Sequence, residues 1–494
     1  MNKQAMAHFP ALPKTAGARR SGHVVLGSPI VLLFIALTIY LMLSGTEPLL
    51  ALACMLVLLA GAKLLWRVGE PPILFAAFAL QWSQVSLLVI QAAVAGVPMT
   101  DYQYVPGIVM ATWLSLGGLL VLAGGMWLMI RGTDVSDPLR QFQAEVRRYS
   151  PRRAFMAYLA AQVVVMNIDR AIGIVPGLTQ ILLSLIDFKW AFFFALAVIV
   201  MAQRRGYGFL ATAFLFELVL GFTSYFADFK QVFYVMIVAA LTVRPKMNVR
   251  VVLAFLPLAI ACVVLLAAWS EVKMEYRRYL SGGTGQQTVV VGVTDQLGAI
   301  ADLIWNKGLP NLGDGFDQML KRTEYTQFFG AAVDHVPASV PYAGGAIWGA
   351  ALVHIFEPRL LFPDKPSLEA DIVNTEKYTG MRLTLEGRIS DTEIPMGYMA
   401  ESYVDFGPIL MFVPIFLLGL LYGAEYRYLA NLRYKLFAYG AMPVVFLSLS
   451  AYGLSAVKIL GGNLTVFAAA YMVLRYFAPA VQRAILARRN LARI

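Results

Sequence analysis

Charge is what this chain has least of. Aspartate, glutamate, lysine and arginine make up 14% of its 494 residues, against about a quarter in an ordinary soluble chain. With 59% hydrophobic residues and a mean hydropathy of +0.67, that shortage excludes a soluble globular protein and indicates a polytopic membrane protein. Cysteine is nearly absent. Cys54 and Cys262 both fall in apolar runs, which argues against a disulfide framework and against redox chemistry. Of four histidines, His8 and His23 lie in the polar N-terminal stretch, and no HExxH occurs, so neither a zinc site nor any other metal or cofactor is expected. Glycine-rich phosphate loops are missing too: Ser281-Gly-Gly-Thr-Gly285 reads as a flexible turn. There is no G-x-S-x-G elbow.

What is present is a series of apolar runs near the ~20 residues that cross a bilayer. They lie at about 28–45, 49–66, 72–97, 107–130, 154–170, 187–203, 208–225, 229–243, 251–269, 406–424, 436–457 and 463–481. Cytoplasmic connections should be rich in lysine and arginine. Lys63 and Arg67, the arginines from Arg131 to Arg153, Arg204 and Arg205, Arg244 to Arg250, Arg427 to Lys435, and Arg483 onward fall in the proposed inner segments, while the short outer connections Gly45–Glu47 and Gly96–Gly107 hold none. The net charge of +11 therefore reads as topology and contact with anionic lipid, not as a nucleic-acid surface.

The expectation is an all-α polytopic membrane protein: about twelve transmembrane helices plus a large extracytoplasmic loop domain of short helices. A cytoplasmic tail (1–26), with no signal peptide in view, precedes a bundle of about nine spans (27–269). The loop (270–405), three C-terminal spans (406–482) and a second cytoplasmic tail (483–494) follow. Ile172–Asp187, interrupted by Pro176-Gly177, reads as re-entrant or interfacial, with an ordinary extra span as the alternative. Ionisable residues in or beside spans are few: Asp169, Arg170, Glu217, Asp228 and Lys230. Glu217 is the deepest, and a functional role or, equally, a hydrogen bond from its protonated form to a neighbouring helix would account for it.

The loop carries the conspicuous cations. Lys273, Arg277 and Arg278 follow a span; Arg322 lies off the apolar stripe of an amphipathic helix over Gly315–Val333; Arg359 and Lys365 stand in the proline-framed Pro358–Pro366. Arginine's planar fork pairs with phosphate oxygens and lysine acts as a point charge, so a lipid pyrophosphate at the membrane surface suits this set.

On these residues the chain resembles the Wzy-type polymerases of O-antigen and exopolysaccharide repeat units. The resemblance rests on Tyr276-Arg277 after a span, Arg322, Val336-Pro with Val340-Pro-Tyr-Ala-Gly-Gly345, Pro358-Arg-Leu-Leu-Phe-Pro-Asp-Lys-Pro366, and Glu401-Ser-Tyr-Val-Asp-Phe-Gly407. It covers about 270–425, and the earlier spans only in layout. Phe362 stands where tryptophan is expected and Asp405 where asparagine is frequent. The resemblance implies a metal-independent enzyme of the bacterial inner membrane, with undecaprenyl-pyrophosphate-linked oligosaccharide as its substrate. A growing glycan would pass from its lipid to a sugar hydroxyl of the next lipid-linked unit. Lys273, Arg277, Arg278, Arg322, Arg359 and Lys365 would hold the pyrophosphate, and Tyr342, Tyr403 and Asp405 would contact substrate.

A base must take the hydroxyl proton. Glu401 is the first candidate, since an apolar surround before a span would raise its pKa; His335 is second, ahead of Asp405 and Asp391. A chain-length regulator is left open as a protein partner. Two other readings share the topology: a ligase-like glycan transferase and a transporter or flippase. The single late loop and the scarcity of midplane charges weigh against a transporter.

Overall fold

The computed structural model describes residues 28–67, 69–132, 138–171, 179–223, 225, 228–244, 249–284, 289–357, 362, 364, 370–383 and 393–486. Arg359, Lys365, Asp391 and Pro176-Gly177 lie outside them, as do the side chains of Asp169 and Arg170. Among the described residues the regular structure is helical, with a lone bridge between Tyr149 and Leu486.

Among the described residues six helices are long and apolar enough to cross a membrane: Pro48–Leu65, Ile73–Ala95, Ile108–Ile130, Gln180–Gln203, Leu256–Leu280 and Ala456–Tyr476. Shorter apolar helices accompany them, among them Tyr207–Leu220, Lys230–Val243 and Lys435–Val445. Several bounds differ from those expected. Thr179–Ile186 joins Lys189–Gln203 in one 24-residue candidate, so the second half of the segment read as re-entrant belongs to the following span. The run expected at 251–269 continues as one helix, Val249–Leu280, because nothing after Trp269 breaks it. The run expected from 406 starts later. Gly407 takes φ 74°, a conformation open to glycine, and with Pro408 it turns Tyr398–Leu410 by 115° from Phe412–Ala430.

Phe412–Ala430 and Ile108–Ile130 run parallel and unusually close. A Cβ at Gly419 would fall on the Leu122 carbonyl, and one at Gly423 would come within 2.6 Å of the Met126 carbonyl. Small residues four apart let two backbones touch, which is how apolar helices gain packing where water does not drive them together.

Hydrogen bonds sort the connections into two groups at opposite ends of these helices. In one, Arg67 donates to the Ile130 carbonyl (2.8 Å), Tyr426 donates to Glu70 (3.0 Å), and Gln203 donates to the Val146 and Tyr149 carbonyls. In the other, the Met99 amide donates to Glu47, the Gln103 side-chain amide to Glu324, and the Gly107 amide to Asp334 (2.9 Å). The first group holds the arginine-rich connections. The second holds the helices between 293 and 379.

Glu217 is buried and fully engaged. It accepts from Tyr158 (3.0 Å), Gln162 and Lys189, whose ammonium lies 2.8 Å away. The neighbouring-helix bonds expected for it are present, but in place of a protonated carboxyl the structure has an ion pair with Lys189.

Candidate functional site

Four short helices seat the 270–405 region on the bundle. Thr326–His335 sits on the first turn of Ile108–Ile130, where Gly330 approaches Ile108 and Asp334 accepts the Gly107 amide. Leu312–Thr323 lies along Val249–Leu280: Gly315 meets the Ala267 carbonyl, and Gln318 donates to Glu271 at 2.8 Å. Ala346–Phe356 is itself apolar and packs on Ala456–Tyr476 through Ile355 and Gly461, with Phe356 74% exposed. This part of the region is therefore built for an apolar surround and is not wholly soluble in character. Asp371–Thr379 completes the set.

The amphipathic helix expected over Gly315–Val333 is two helices, Leu312–Thr323 and Thr326–His335. Glu324 breaks it by turning inward to Gln103. The break leaves Arg322 exposed at the end of the first helix. The contacts at Gly315 and Gln318 show that this helix and Val249–Leu280 point the same way. Their basic last-turn residues, Lys321 and Arg322 on one and Arg277 and Arg278 on the other, are thus carried in the same direction. Cations at a C-terminus are also what the helix dipole favours. Arg277 is engaged: its Nε donates to the Tyr225 carbonyl (3.1 Å) and its guanidinium lies 4.9 Å from the Tyr225 ring. Lys273 is half-buried and Arg278 exposed.

Glu401 is buried, 3% exposed, on the first turn of Tyr398–Leu410. Its Oε2 accepts the Ala456 amide at 2.6 Å. Burial is the main reason its carboxyl is pushed up to about 8; the Asp371 and Asp405 carboxylates add to the shift, while the Ala456 amide and Lys458 oppose it. The raised proton affinity expected of Glu401 is present, but the group beside it is one the sequence did not suggest. Lys458 Nζ lies 2.7 Å from Asp371 and 3.5 Å from Glu393, Ser455 donates to Asp371 (3.3 Å), and the Asp371 amide donates to Glu393 (2.9 Å). Three stretches, 371, 393–401 and 455–458, meet here. A lone lysine between two apolar runs was the one sequence signal that could have drawn Lys458 in.

Tyr325 links this knot to the basic helix ends. It stands three residues after Arg322, and its hydroxyl donates to the Pro395 carbonyl at 2.7 Å. Burial, then the Asp371 and Glu401 carboxylates, push its phenol up.

The remaining candidates have local duties. Asp405 accepts the Ile347 (3.1 Å) and Trp348 (2.8 Å) amides at the start of Ala346–Phe356, where Gly345 offers no side chain to cap it. Tyr403 is buried and donates to the Val336 carbonyl (3.0 Å), with Tyr342 edge-on at 5.9 Å. Tyr342 is partly open, at 38%. The His335 ring lies against Gly380, 3.0 Å from where a Cβ would stand. No hydrogen bond or ion pair among the described residues joins His335 to Glu401, whose carboxylate accepts the Ala456 amide. Among the described residues no three His, Cys, Asp or Glu side chains are grouped to hold a metal ion.

No curated protein and no solved structure matches the chain. Residues 138–458, roughly two thirds of its length, match the family described as Domain of unknown function (DUF8712), and that stretch takes in both basic helix ends, Glu401 and Lys458. The chain belongs to this family.

Proposed function

We propose that the protein polymerises lipid-linked oligosaccharide repeat units at the outer face of a bacterial inner membrane. The growing glycan leaves undecaprenyl pyrophosphate and is transferred to a sugar hydroxyl of the next lipid-linked unit. In this reading the shorter apolar helices and Phe412–Ala430 complete about twelve spans, both termini are cytoplasmic, and the 270–405 region is periplasmic. No metal is needed if guanidinium groups stabilise the departing pyrophosphate as its charge develops.

The observation that carries the reading is the shared direction of two basic helix ends, Arg277-Arg278 and Lys321-Arg322, with Tyr325, three residues past the second, bonded to the Pro395 carbonyl just ahead of the helix that bears buried Glu401. Cations for a pyrophosphate and a base of raised proton affinity are what the transfer requires. Arg359 and Lys365 keep their proposed place in the pyrophosphate site on the sequence resemblance alone. Asp405 and Tyr403 shape the site through Ala346–Phe356 and Val336.

The test is conversion of purified lipid-pyrophosphate repeat units to longer glycan in the presence of a chelator. Wild type should yield a ladder. Arg322→Ala, Arg359→Ala and Glu401→Gln, each monodisperse in detergent, should lose it. Transfer to a single acceptor without a ladder would move the assignment to a ligase, and binding of the lipid with no transfer would move it to a flippase.

A further inference from the structure

At the end of the bundle away from Glu401, the last turns of Pro138–Val146, Lys189–Gln203 and Lys230–Val243 enclose a cavity of about 660 Å³. Four arginines line it, Arg147, Arg204, Arg205 and Arg244, together with Gln143 and Gln203. Among the described residues no aspartate or glutamate does. We propose that this cavity is a binding site for a phosphate-bearing anion carrying two or more negative charges.

Arginines at helix C-termini are ordinarily accounted for by the free carbonyls and the negative end of the dipole there. Here glutamines meet part of that need. Gln203 Nε2 donates to the Val146 (2.9 Å) and Tyr149 (2.8 Å) carbonyls, and Gln143 Nε2 donates to the Val243 carbonyl (3.3 Å). Gln203 also accepts from Arg205 Nε at 2.8 Å, which fixes that guanidinium and leaves its two terminal nitrogens for a ligand. Arg204 closes its helix in the left-handed region, at φ 53°, where a side chain with a Cβ is strained. All four arginines are exposed, so a ligand can reach them. Four like charges around one cavity repel unless an anion lies between them, and guanidinium forks match phosphate oxygens in pairs.

The volume is that of a site for a small organic molecule rather than for a single ion. Two sources offer this chemistry: a soluble organic or inorganic polyphosphate and the headgroup of an anionic lipid. The site is independent of the polymerase reading, and its test uses binding alone.

Full-length protein carrying Arg278→Ala and Arg322→Ala, which removes the basic helix ends of the proposed transfer site, would be titrated in neutral detergent with inorganic pyrophosphate by calorimetry, and the cavity and control variants would be made in that same background. In parallel, adducts of cardiolipin, whose headgroup bears two phosphates, would be counted by native mass spectrometry. Arg204→Gln with Arg205→Gln should weaken at least one probe tenfold or more. The paired lysine replacements, which keep the charge and lose the fork, should fall between that variant and the background protein. Arg433→Gln with Arg475→Gln, an equal charge loss elsewhere, should change neither probe. Pyrophosphate loss identifies a soluble ligand; loss of lipid adducts alone identifies a headgroup. Equal weakening in the cavity pair and the control pair, or in neither, overturns the proposal.

Discussion

Glu401 and Ala456 are joined by a 2.6 Å hydrogen bond across 55 residues of sequence, the Glu401 carboxylate accepting the first amide of a membrane-length helix. The contact ties a buried titratable group to the end of Ala456–Tyr476, so protonation of Glu401 is coupled to stability. Its folded pKa near 8 lies above its ordinary 4.5. A carboxyl shifted upward favours the folded state below 4.5, and that advantage is lost as pH rises to 8, by up to about 1.4 kcal/mol per unit. Thermal melts of wild type should fall in this window. Glu401→Gln keeps an acceptor for Ala456 and should show a shallower decline than wild type; parallel profiles would refute the assignment.

The same shift sets the pH dependence of the proposed transfer. If ionised Glu401 takes the hydroxyl proton, kcat/KM should rise with pH and level off above about 8. Glu401→Gln should lower the plateau by roughly 10²–10⁴-fold. A lower plateau with an unchanged wild-type midpoint in a variant of Asp371 would show that some other group titrates.

Arg322 and Arg277 should separate stability from activity. Arg322 is exposed, so Arg322→Ala should shift stability by no more than about 0.5 kcal/mol while reducing transfer. Arg277 holds Tyr225 by a hydrogen bond and a ring contact, so its removal should lower the melting temperature as well. Melting curves beside turnover data decide the matter.

Asp405→Ala should loosen the start of Ala346–Phe356 by about 1 kcal/mol, the usual worth of an N-terminal cap. Hydrogen exchange should quicken at Ile347 and Trp348. Asp405→Asn, which retains an acceptor, should restore much of the protection.

Within the bundle, Glu217→Ala leaves Lys189 without its partner and should cost about 3–5 kcal/mol, whereas replacing both with apolar residues of similar volume should cost far less. Gly419→Leu should prevent assembly outright, since its backbone neighbour is the Leu122 carbonyl. Both are read by recovery of monodisperse protein.

Helicity and the existence of membrane-length segments were legible from apolar run length, because a helix satisfies its own backbone and needs nothing remote. Helix ends were less so. The continuation of Val249–Leu280 past Trp269 and the turn at Gly407-Pro408 depend on what the next segment packs against. Glu401 was visible as a carboxylate before an apolar run. Lys458, Asp371 and Glu393 were not, since their pairing joins stretches as far as 87 residues apart that nothing in local sequence relates. The structural duties of Asp405 and Asp334 were hidden for a similar reason: each serves a distant helix start.

Val249–Leu280 has a geometric consequence. At about 1.5 Å per residue, 32 residues reach ~48 Å, well beyond the ~30 Å hydrocarbon layer. Its polar end, from Ser270 onward, therefore stands like a mast, and Gly315 and Gln318 lash a second helix to it. Height above the lipid is set by a rigid rod and not by a flexible tether. In the proposed function a lipid-borne group would meet the arginines at one fixed level, and shortening the rod by a single turn would lower that level by ~5.4 Å.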